Sequence, residues 1–345
     1  MTTYAKAFQI PRLNSQMLAW HTDWESLFGA RRPLIVEIGF GRGHYLSHLA
    51  RQHPDASIIG LEISNECLDS AERMIVREQI SNVRLIHATA ETALHHLFES
   101  ASIQQIHINF PDPWFKKNHH HRRLMQADTL ALLVERLAPH GELYLATDIL
   151  DYAEMTGDLL ETTMGIVNRL PTAWANTLPG RTITKYEAIA QREGRDCYYF
   201  AYQRTADPVP PIPVIKELDM PHAVITLPLD LATITEQFTP IKYAHGETHI
   251  HLMDAFFGRS AVLVETHIGE PTLRQHIMIG IYITAGTHDA DPAQTPSYTI
   301  QLSSIGQPRA TEGVHIAVAL LRDWVLSLHP HAHLVKQKIK EKALL

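Results

Sequence analysis

The sequence predicts an α/β chain: a mostly parallel sheet with helices on both faces across residues 1–205, a linker at 206–215, and a smaller α+β domain with an antiparallel sheet at 216–345. Three observations lead there. From Pro33 to Thr147, apolar runs of strand length alternate with amphipathic stretches. That alternation implies parallel strands, because a parallel neighbour is reached only through a long crossover, usually a helix. A proline-rich stretch, Ala206-Asp207-Pro208-Val209-Pro210-Pro211-Ile212-Pro213, then interrupts the pattern. Beyond it, strand-like runs are separated by Gly, Pro and Asp without helices of useful length between them, as in antiparallel sheets.

Residues 1–30 are mixed in character and suit at most one helix. Leu34-Ile35-Val36-Glu37-Ile38 is the first strand, followed by a helix over 44–52. A second strand over 57–61 precedes a helix over 65–78. A third over 83–86 precedes a helix over 91–100. A fourth over 103–110 precedes a helix over 124–137, which stops at Pro139-His140-Gly141, and a fifth strand spans 142–147. In the second part, strands are expected at 223–229, 248–257, 261–268, 276–285 and 298–302, with a closing helix over 311–328.

Composition narrows the class. The chain has 345 residues, 45% apolar and 19% charged, which fits folded domains rather than disorder. No apolar run approaches the length of a membrane helix, and the first residues lack the apolar core of a signal peptide. Cys67 and Cys197 lie far apart without metal-ligand spacing, so a reducing, cytoplasmic setting is expected. The net charge is −7; residues 1–204 carry 20 Lys+Arg against 23 Asp+Glu, and the remainder 10 against 14. Contact with nucleic acid must therefore come from a local basic patch.

The strand ending at Ile38 runs into Gly39-Phe40-Gly41-Arg42-Gly43, which opens the first helix. Glycines permit a tight turn and close backbone approach. A dinucleotide loop reads G-x-G-x-x-G and places a pyrophosphate on the helix N-terminus. Here the loop reads E-x-G-x-G-x-G, and Glu37 would repel a pyrophosphate. It suits a cationic ligand, such as the α-ammonium of S-adenosyl-L-methionine. Glu62, at the end of the second strand, has the spacing of an acid that accepts both ribose hydroxyls; the alternative is a solvated strand-end glutamate.

The fourth strand ends in Asn109-Phe110-Pro111-Asp112-Pro113-Trp114. Each proline fixes its own φ and pushes the residue before it toward extended geometry, which holds Asp112 on a stiff loop. A capping carboxylate in a turn is the alternative. Trp114 suits local packing better than base stacking. Downstream, Lys116-Lys117-Asn118-His119-His120-His121-Arg122-Arg123 is the densest basic cluster of the chain and a candidate phosphate contact. Three adjacent histidines cannot easily face one ion, and the other histidines form no metal-ligand array, so no metal is expected.

These motifs, with Ala146-Thr147-Asp148 and Thr184-Lys185-Tyr186-Glu187, resemble the bacterial tRNA (guanine-N7-)-methyltransferases, which modify guanine 46 in the variable loop. The resemblance spans about residues 30–204 and leaves the C-terminal region outside it. It implies a class I methyltransferase-like (Rossmann-like) fold. It also implies that Glu37, Gly39, Gly41, Gly43, Glu62 and Asp112 hold S-adenosyl-L-methionine, with Asp112 also catalytic. Lys116, Asp148 and Thr184, Lys185, Tyr186 and Glu187 then become tRNA contacts, joined by Arg122 and Arg123 of the basic run. One position departs: the family usually has an aspartate for the adenine amino group where this chain has Thr89, and Glu91 is the alternative. Two of these positions have purely structural readings. Asp148 suits an N-cap for the segment from Tyr152, and Thr184 with Glu187 spells a capping box. The oligomeric state is not legible.

Guanine N7 carries an in-plane lone pair and loses no proton, so no general base is required. Orientation and charge stabilisation remain, and Asp112, or secondarily Asp148, can supply both. The rivals are a methyltransferase acting on another RNA, a protein or a small molecule, a non-catalytic RNA-binding relic, and an NAD-dependent dehydrogenase. The loop spacing opposes the last.

Overall fold

The computed structural model describes residues 11–116, 118–119, 123–284 and 295–340. The chain forms two compact units, Met1–Pro213 and Val214–Leu345.

The first unit runs β1 (Arg12–Asn14), α1 (Trp24–Phe28), β2 (Leu34–Ile38), α2 (His44–Gln52), β3 (Ser57–Glu62), α3 (Asn65–Arg77), β4 (Val83–His87), α4 (Ala90–His96), β5 (Ile103–Asn109), α5 (Ala127–Arg136), β6 (Leu137–Thr147), α6 (Leu150–Thr162), β7 (Ile166–Asn168), α7 (Lys185–Arg192) and β8 (Tyr198–Arg204). The sheet order is β1-β4-β3-β2-β5-β6-β8-β7. The six strands from β1 to β6 pair in parallel; β8 joins β6 antiparallel, and β7 joins β8 likewise. The chain builds outward from β2 in one direction through β3 and β4, then returns to β2's other side as β5. The order therefore reverses between β2 and β5, which is where ligands sit in such sheets.

The alternation of strand side chains explains the two helical layers. Ile35, Ile58, Val83 and Leu85 face α2 and α3, where they pack with Leu46, Leu49, Leu68 and Ile75. Val36, Ile38, Ile59, Leu61, Ile106 and Ile108 face the other way, into a core with Leu94, Phe98, Leu130, Leu133 and Tyr152. With both faces covered, the central strands read as continuous apolar runs.

Several elements depart from the sequence expectation. β1 is three residues long and edge-paired to β4, too short for a periodic signal. β7 and β8 fall where no strand was expected, although β8 contributes the buried Phe200 and Tyr202 to the core. α5 is shorter than expected because β6 starts at Leu137, paired with Ile103. The proline-rich stretch is docked rather than free: Val209 and Ile212 pack against the first core.

The second unit runs β9 (His222–Thr226), α8 (Leu231–Glu236), β10 (Ile241–His245), β11 (Thr248–Phe257), β12 (Ala261–Glu270), β13 (Leu273–Ile283), β14 (Ser297–Leu302), α9 (Glu312–Ser327) and β15 (His333–Lys338). Its sheet, in the order β10-β11-β12-β13-β14-β9-β15, is antiparallel throughout. One face carries Ile250, Leu252, Val264, Ile268, Ile277 and Ile279, which pack with Val314, Ala317, Leu321 and Val325 of α9. The opposite face of β11–β13 is polar at one end, where His249, His251, Glu265, His267, Arg274 and His276 lie, and apolar at the other, where Phe256 pairs with Leu263. Among the described residues, no helix is long and apolar enough to cross a membrane.

Candidate active site

The site lies beyond the C-terminal ends of β2, β3 and β5. Gly39, Gly41 and Gly43 all have positive φ, at 70°, 57° and 83°. A Cβ on Gly39 or Gly41 would meet no atom within 4 Å, so the loop is open on the side a ligand would occupy. Gly43 is different: a Cβ there would lie 2.8 Å from the Ala71 Cβ, which ties the start of α2 closely to α3.

Glu62, at the end of β3, turns its carboxylate onto backbone amides. One oxygen accepts from Gly41 N at 2.9 Å, and the other from Ile63 N and Ser64 N at 2.8 and 2.9 Å. A carboxylate offers about four acceptor positions, so about one remains for a hydroxyl donor. The acid thereby holds the glycine loop in place.

Glu37 is 1% exposed. Burial raises its pKa from 4.5 to about 8, against the opposing pull of the Asn109 amide and the Arg181 charge. Its Oε1 accepts from Asn109 Nδ2 at 3.1 Å. Its Oε2 is buried and has no hydrogen-bond partner among the described residues. An orphaned buried carboxylate oxygen costs free energy unless a cation or donor reaches it. This residue, beside an open glycine loop, fits the ammonium end of an amino-acid-bearing cofactor.

Asn109 also accepts from Arg181 NH2 at 2.6 Å. Arg181 NH1 donates to the Tyr45 hydroxyl at 3.2 Å, and the guanidinium lies over the Tyr45 and Tyr199 rings, 4.7 and 5.1 Å from their centroids. Tyr45 is 3.3 Å from Nδ1 of His107, whose Nε2 is 3.2 Å from Gln105 Oε1. Burial, and after it the Arg181 charge, pushes His107 down to about 3, so its ring is neutral. With Nε2–H donating to Gln105, Nδ1 accepts from Tyr45. None of Arg181, Tyr45 or His107 was singled out in the sequence. Tyr45 sits one residue into α2, and Arg181 lies in an irregular loop 72 positions from Asn109. No local pattern marks them.

The loop after β5 departs from expectation in one respect. Phe110 precedes Pro111, yet its φ is +52° instead of extended. Its amide donates to Ala146 O at 2.8 Å, and its ring packs against the small cluster of Ala146, Ala190, Cys197 and Tyr199. Those contacts outweigh the local preference, and strain of this kind is typical of functional sites. Trp114 also has positive φ and meets His119 edge-on, with centroids 5.7 Å apart. Asp112 is exposed and has no side-chain hydrogen bond among the described residues. Burial pushes the nearby Tyr152 hydroxyl up to about 12, and the Asp112 charge adds to that rise.

Comparison with known proteins gives consistent relatives. A family model described as "Putative methyltransferase" matches residues 31–200. A tRNA (guanine-N(7)-)-methyltransferase of Nitrosomonas europaea is 36% identical over 57% of this chain and 88% of its own length. One from Acidithiobacillus ferrooxidans is 37% identical over 56% of this chain and 85% of its own. One from Thermus thermophilus is 31% identical over 313 residues, covering 88% of this chain and 92% of its own length. The chain belongs to the tRNA (guanine-N(7)-)-methyltransferase family. Because 313 aligned residues exceed the first unit, the relationship reaches into the second unit, which the motif resemblance left outside.

The remaining family positions separate into outward and inward groups. Lys116, Lys185 and Tyr186 are exposed, the last two adjoining at 5.5 Å from ammonium to ring centroid. Thr184 and Glu187 are buried and form a complete capping box at the start of α7: Thr184 Oγ1 accepts from Glu187 N at 3.2 Å, and Glu187 Oε2 from Thr184 N at 3.2 Å. Burial raises the Tyr199 pKa, and the bond to Glu187 raises it further. Asp148 is not a helix cap; α6 is capped by Ile149 without a side-chain bond, and Asp148 pairs instead with Arg195. Arg123 turns inward, donating to Pro113 O at 2.8 Å and to Met155 Sδ at 3.1 Å, so it braces the Asp112 loop. Arg122, Lys117, His120 and His121 lie outside the described residues. Thr89 is the N-cap of α4: its hydroxyl accepts from Thr92 N at 3.1 Å and donates to Thr92 Oγ1 at 3.0 Å.

Proposed function

We propose that this chain transfers the methyl group of S-adenosyl-L-methionine to N7 of guanine 46 in the variable loop of tRNA, in the cytoplasm. The observation that carries the reading is Glu37, buried with one free carboxylate oxygen beside the open glycine loop, in a chain of this family.

When bound, S-adenosyl-L-methionine supplies an electrophilic sulfonium methyl. Glu37 would take the ammonium on Oε2, held in place by Asn109 and, behind it, Arg181. Glu62 would take a ribose hydroxyl on its remaining acceptor position while bracing the loop of Gly39, Gly41 and Gly43. Thr89 would stand at the adenine, where its hydroxyl is already used in capping; Glu91, one residue into α4, is the other acceptor there.

The reaction needs no base, so the residues have two tasks. One is alignment, since an in-line displacement requires N7 to approach opposite the leaving sulfur. The other is charge: the guanine ring becomes cationic as the bond forms. Asp112 would hold the guanine N1 and N2 donors and stabilise that charge. Asp148 is committed to Arg195, which leaves Asp112 as the available carboxylate of the two. Lys116, Lys185 and Tyr186 are the described outward positions for tRNA contact; Arg122 of the basic run joins them as an expectation. Arg123, Thr184 and Glu187 act by positioning these segments.

The test uses the full chain, S-adenosyl-L-methionine labelled in the methyl group, and unmodified bulk tRNA, followed by nucleoside digestion. Label in 7-methylguanosine is expected, and its loss from a transcript carrying adenosine at position 46 would assign the site. Label in no tRNA nucleoside refutes the proposal. Asp112→Ala should lose most turnover while cofactor binding weakens less; near-normal turnover would remove Asp112 from the catalytic role.

A further inference from the structure

The polar end of the β11–β13 face opposite the core brings together groups that lie apart in sequence. His267 on β12 pairs in register with His276 on β13 and, on its other side, with His251 on β11. Glu265 is two residues before His267 and shares its face. It pairs with Met278, which places it diagonally across from His276. The result is a carboxylate and two imidazoles with one donor atom each within 4.8 Å of one another. His276 Nε2 and Glu265 Oε1 are 2.6 Å apart, and the His267 and His276 ring centroids are 4.0 Å apart.

We propose that Glu265, His267 and His276 form a binding site for a divalent first-row transition ion, with Zn2+ the best match. Imidazole nitrogen and carboxylate oxygen are the donors such ions take from proteins, at about 2.0–2.2 Å for zinc. Two donors on a four-coordinate ion then stand roughly 3.3 Å apart. The cluster reaches that spacing by small side-chain rotations. The proton now shared between His276 and Glu265 gives way to the ion.

The support is rigid. The opposite side of the same strands carries Val264, Ile268, Ile277 and Ile279 into the core, so the backbone positions of the ligands are set by the folded sheet. His267 and His276 border a depression also lined by Tyr243, His249 and His251, with Lys242 and Arg274 at its sides. A three-ligand ion here keeps an open coordination position toward that depression, filled by water or by His251. Hard cations such as Mg2+ prefer all-oxygen octahedra and do not match the donors.

The experiment is equilibrium dialysis of the full chain against Zn2+, with metal content measured by mass spectrometry. It is run in a Cys67→Ser background to remove a partly exposed thiol. The expected result is one equivalent of bound Zn2+ that excess Mg2+ does not displace. Affinity should fall at least tenfold in His267→Ala and in His276→Ala, and less in Glu265→Gln. His249→Ala, on the same face outside the ligand set, should bind as the parent does. Co2+ in place of Zn2+ should give a ligand-field absorption lost in the same variants. The substituted histidines and Glu265 lie on the face of the sheet away from the core, and circular dichroism without metal checks that each variant folds. Equal Zn2+ affinity in the parent, His267→Ala and His276→Ala would overturn the proposal. So would a loss in His249→Ala as large as theirs.

Discussion

Glu37 makes a quantitative prediction about how the cofactor binds. Burial raises its pKa from 4.5 to about 8, so without cofactor the folded chain holds the Glu37 proton across the neutral range. At about 1.4 kcal/mol per tenfold, keeping that carboxylate ionised in its pocket costs on the order of 5 kcal/mol. An ammonium placed on Oε2 supplies the missing counter-charge and returns the pKa toward the carboxylate range. Binding S-adenosyl-L-methionine should then release close to one proton at about pH 6.5, where both the acid and the ligand's ammonium start protonated. The association constant should rise nearly tenfold per pH unit between about 5.5 and 6.5 and flatten above about pH 7, where the ligand's ammonium and Glu37 begin to lose their protons. Glu37→Gln removes the titrating group; it should abolish the proton release and flatten the pH dependence while weakening binding. Isothermal titration calorimetry in buffers of different ionisation enthalpy counts the protons directly. A count near zero for the parent at about pH 6.5, or the same pH slope in Glu37→Gln, would refute the reasoning. The same shift acts on stability without cofactor. A carboxyl whose pKa is raised by folding contributes stability fully below about 4.5, and that contribution is lost as pH rises through about 8. Glu37→Gln should therefore gain on the parent in melting temperature as pH increases across that window.

Other residues give simpler tests. Arg181→Met removes charge-assisted bonds to Asn109 and Tyr45 and should weaken cofactor binding by about 10- to 100-fold, measured by calorimetry, with Arg181→Lys intermediate. Lys116→Ala and Lys185→Ala should each weaken tRNA binding and lower the slope of log affinity against log salt by about one; an unchanged slope excludes a phosphate contact. Thr184→Ala should cost about 1 kcal/mol in denaturant unfolding through loss of the α7 cap, with Thr184→Ser restoring it, and should leave the salt slope of tRNA binding unchanged. Gly43→Ala meets both a positive φ and the Ala71 Cβ, and should destabilise the first unit by about 2 kcal/mol or more.

The legible part of the site was local. Strand, glycine loop and helix follow one another within residues 34–52, so periodicity and glycine placement reveal them together. Glu62 was recognisable because β3 follows directly and a strand-end acid has a defined place. The Thr184–Glu187 cap was readable from four consecutive positions. Where packing overrode local preference, the sequence misled. Phe110 takes a left-handed φ before a proline because its ring is held by Ala146 and Tyr199, which come from other strands. Arg123 belonged to a basic run on paper, but the fold turns it onto the Pro113 carbonyl. Asp148 suited a helix cap until Arg195 was brought beside it.

The sequence alone thus determined the α/β class, the family and the place of the glycine loop between first strand and first helix, because those signals are carried by neighbours along the chain. Tertiary structure decided which of the polar residues meet. The link from Glu37 through Asn109 to Arg181, and onward through Tyr45 to His107, depends on β5 returning beside β2 and on a distant loop closing over both. The cluster of Glu265, His267 and His276 depends on the register of two antiparallel strands, where a one-residue slip would send each side chain to the opposite face. Pairings across such distances are set by which apolar faces must be buried together, and that is settled only when the whole sheet has formed.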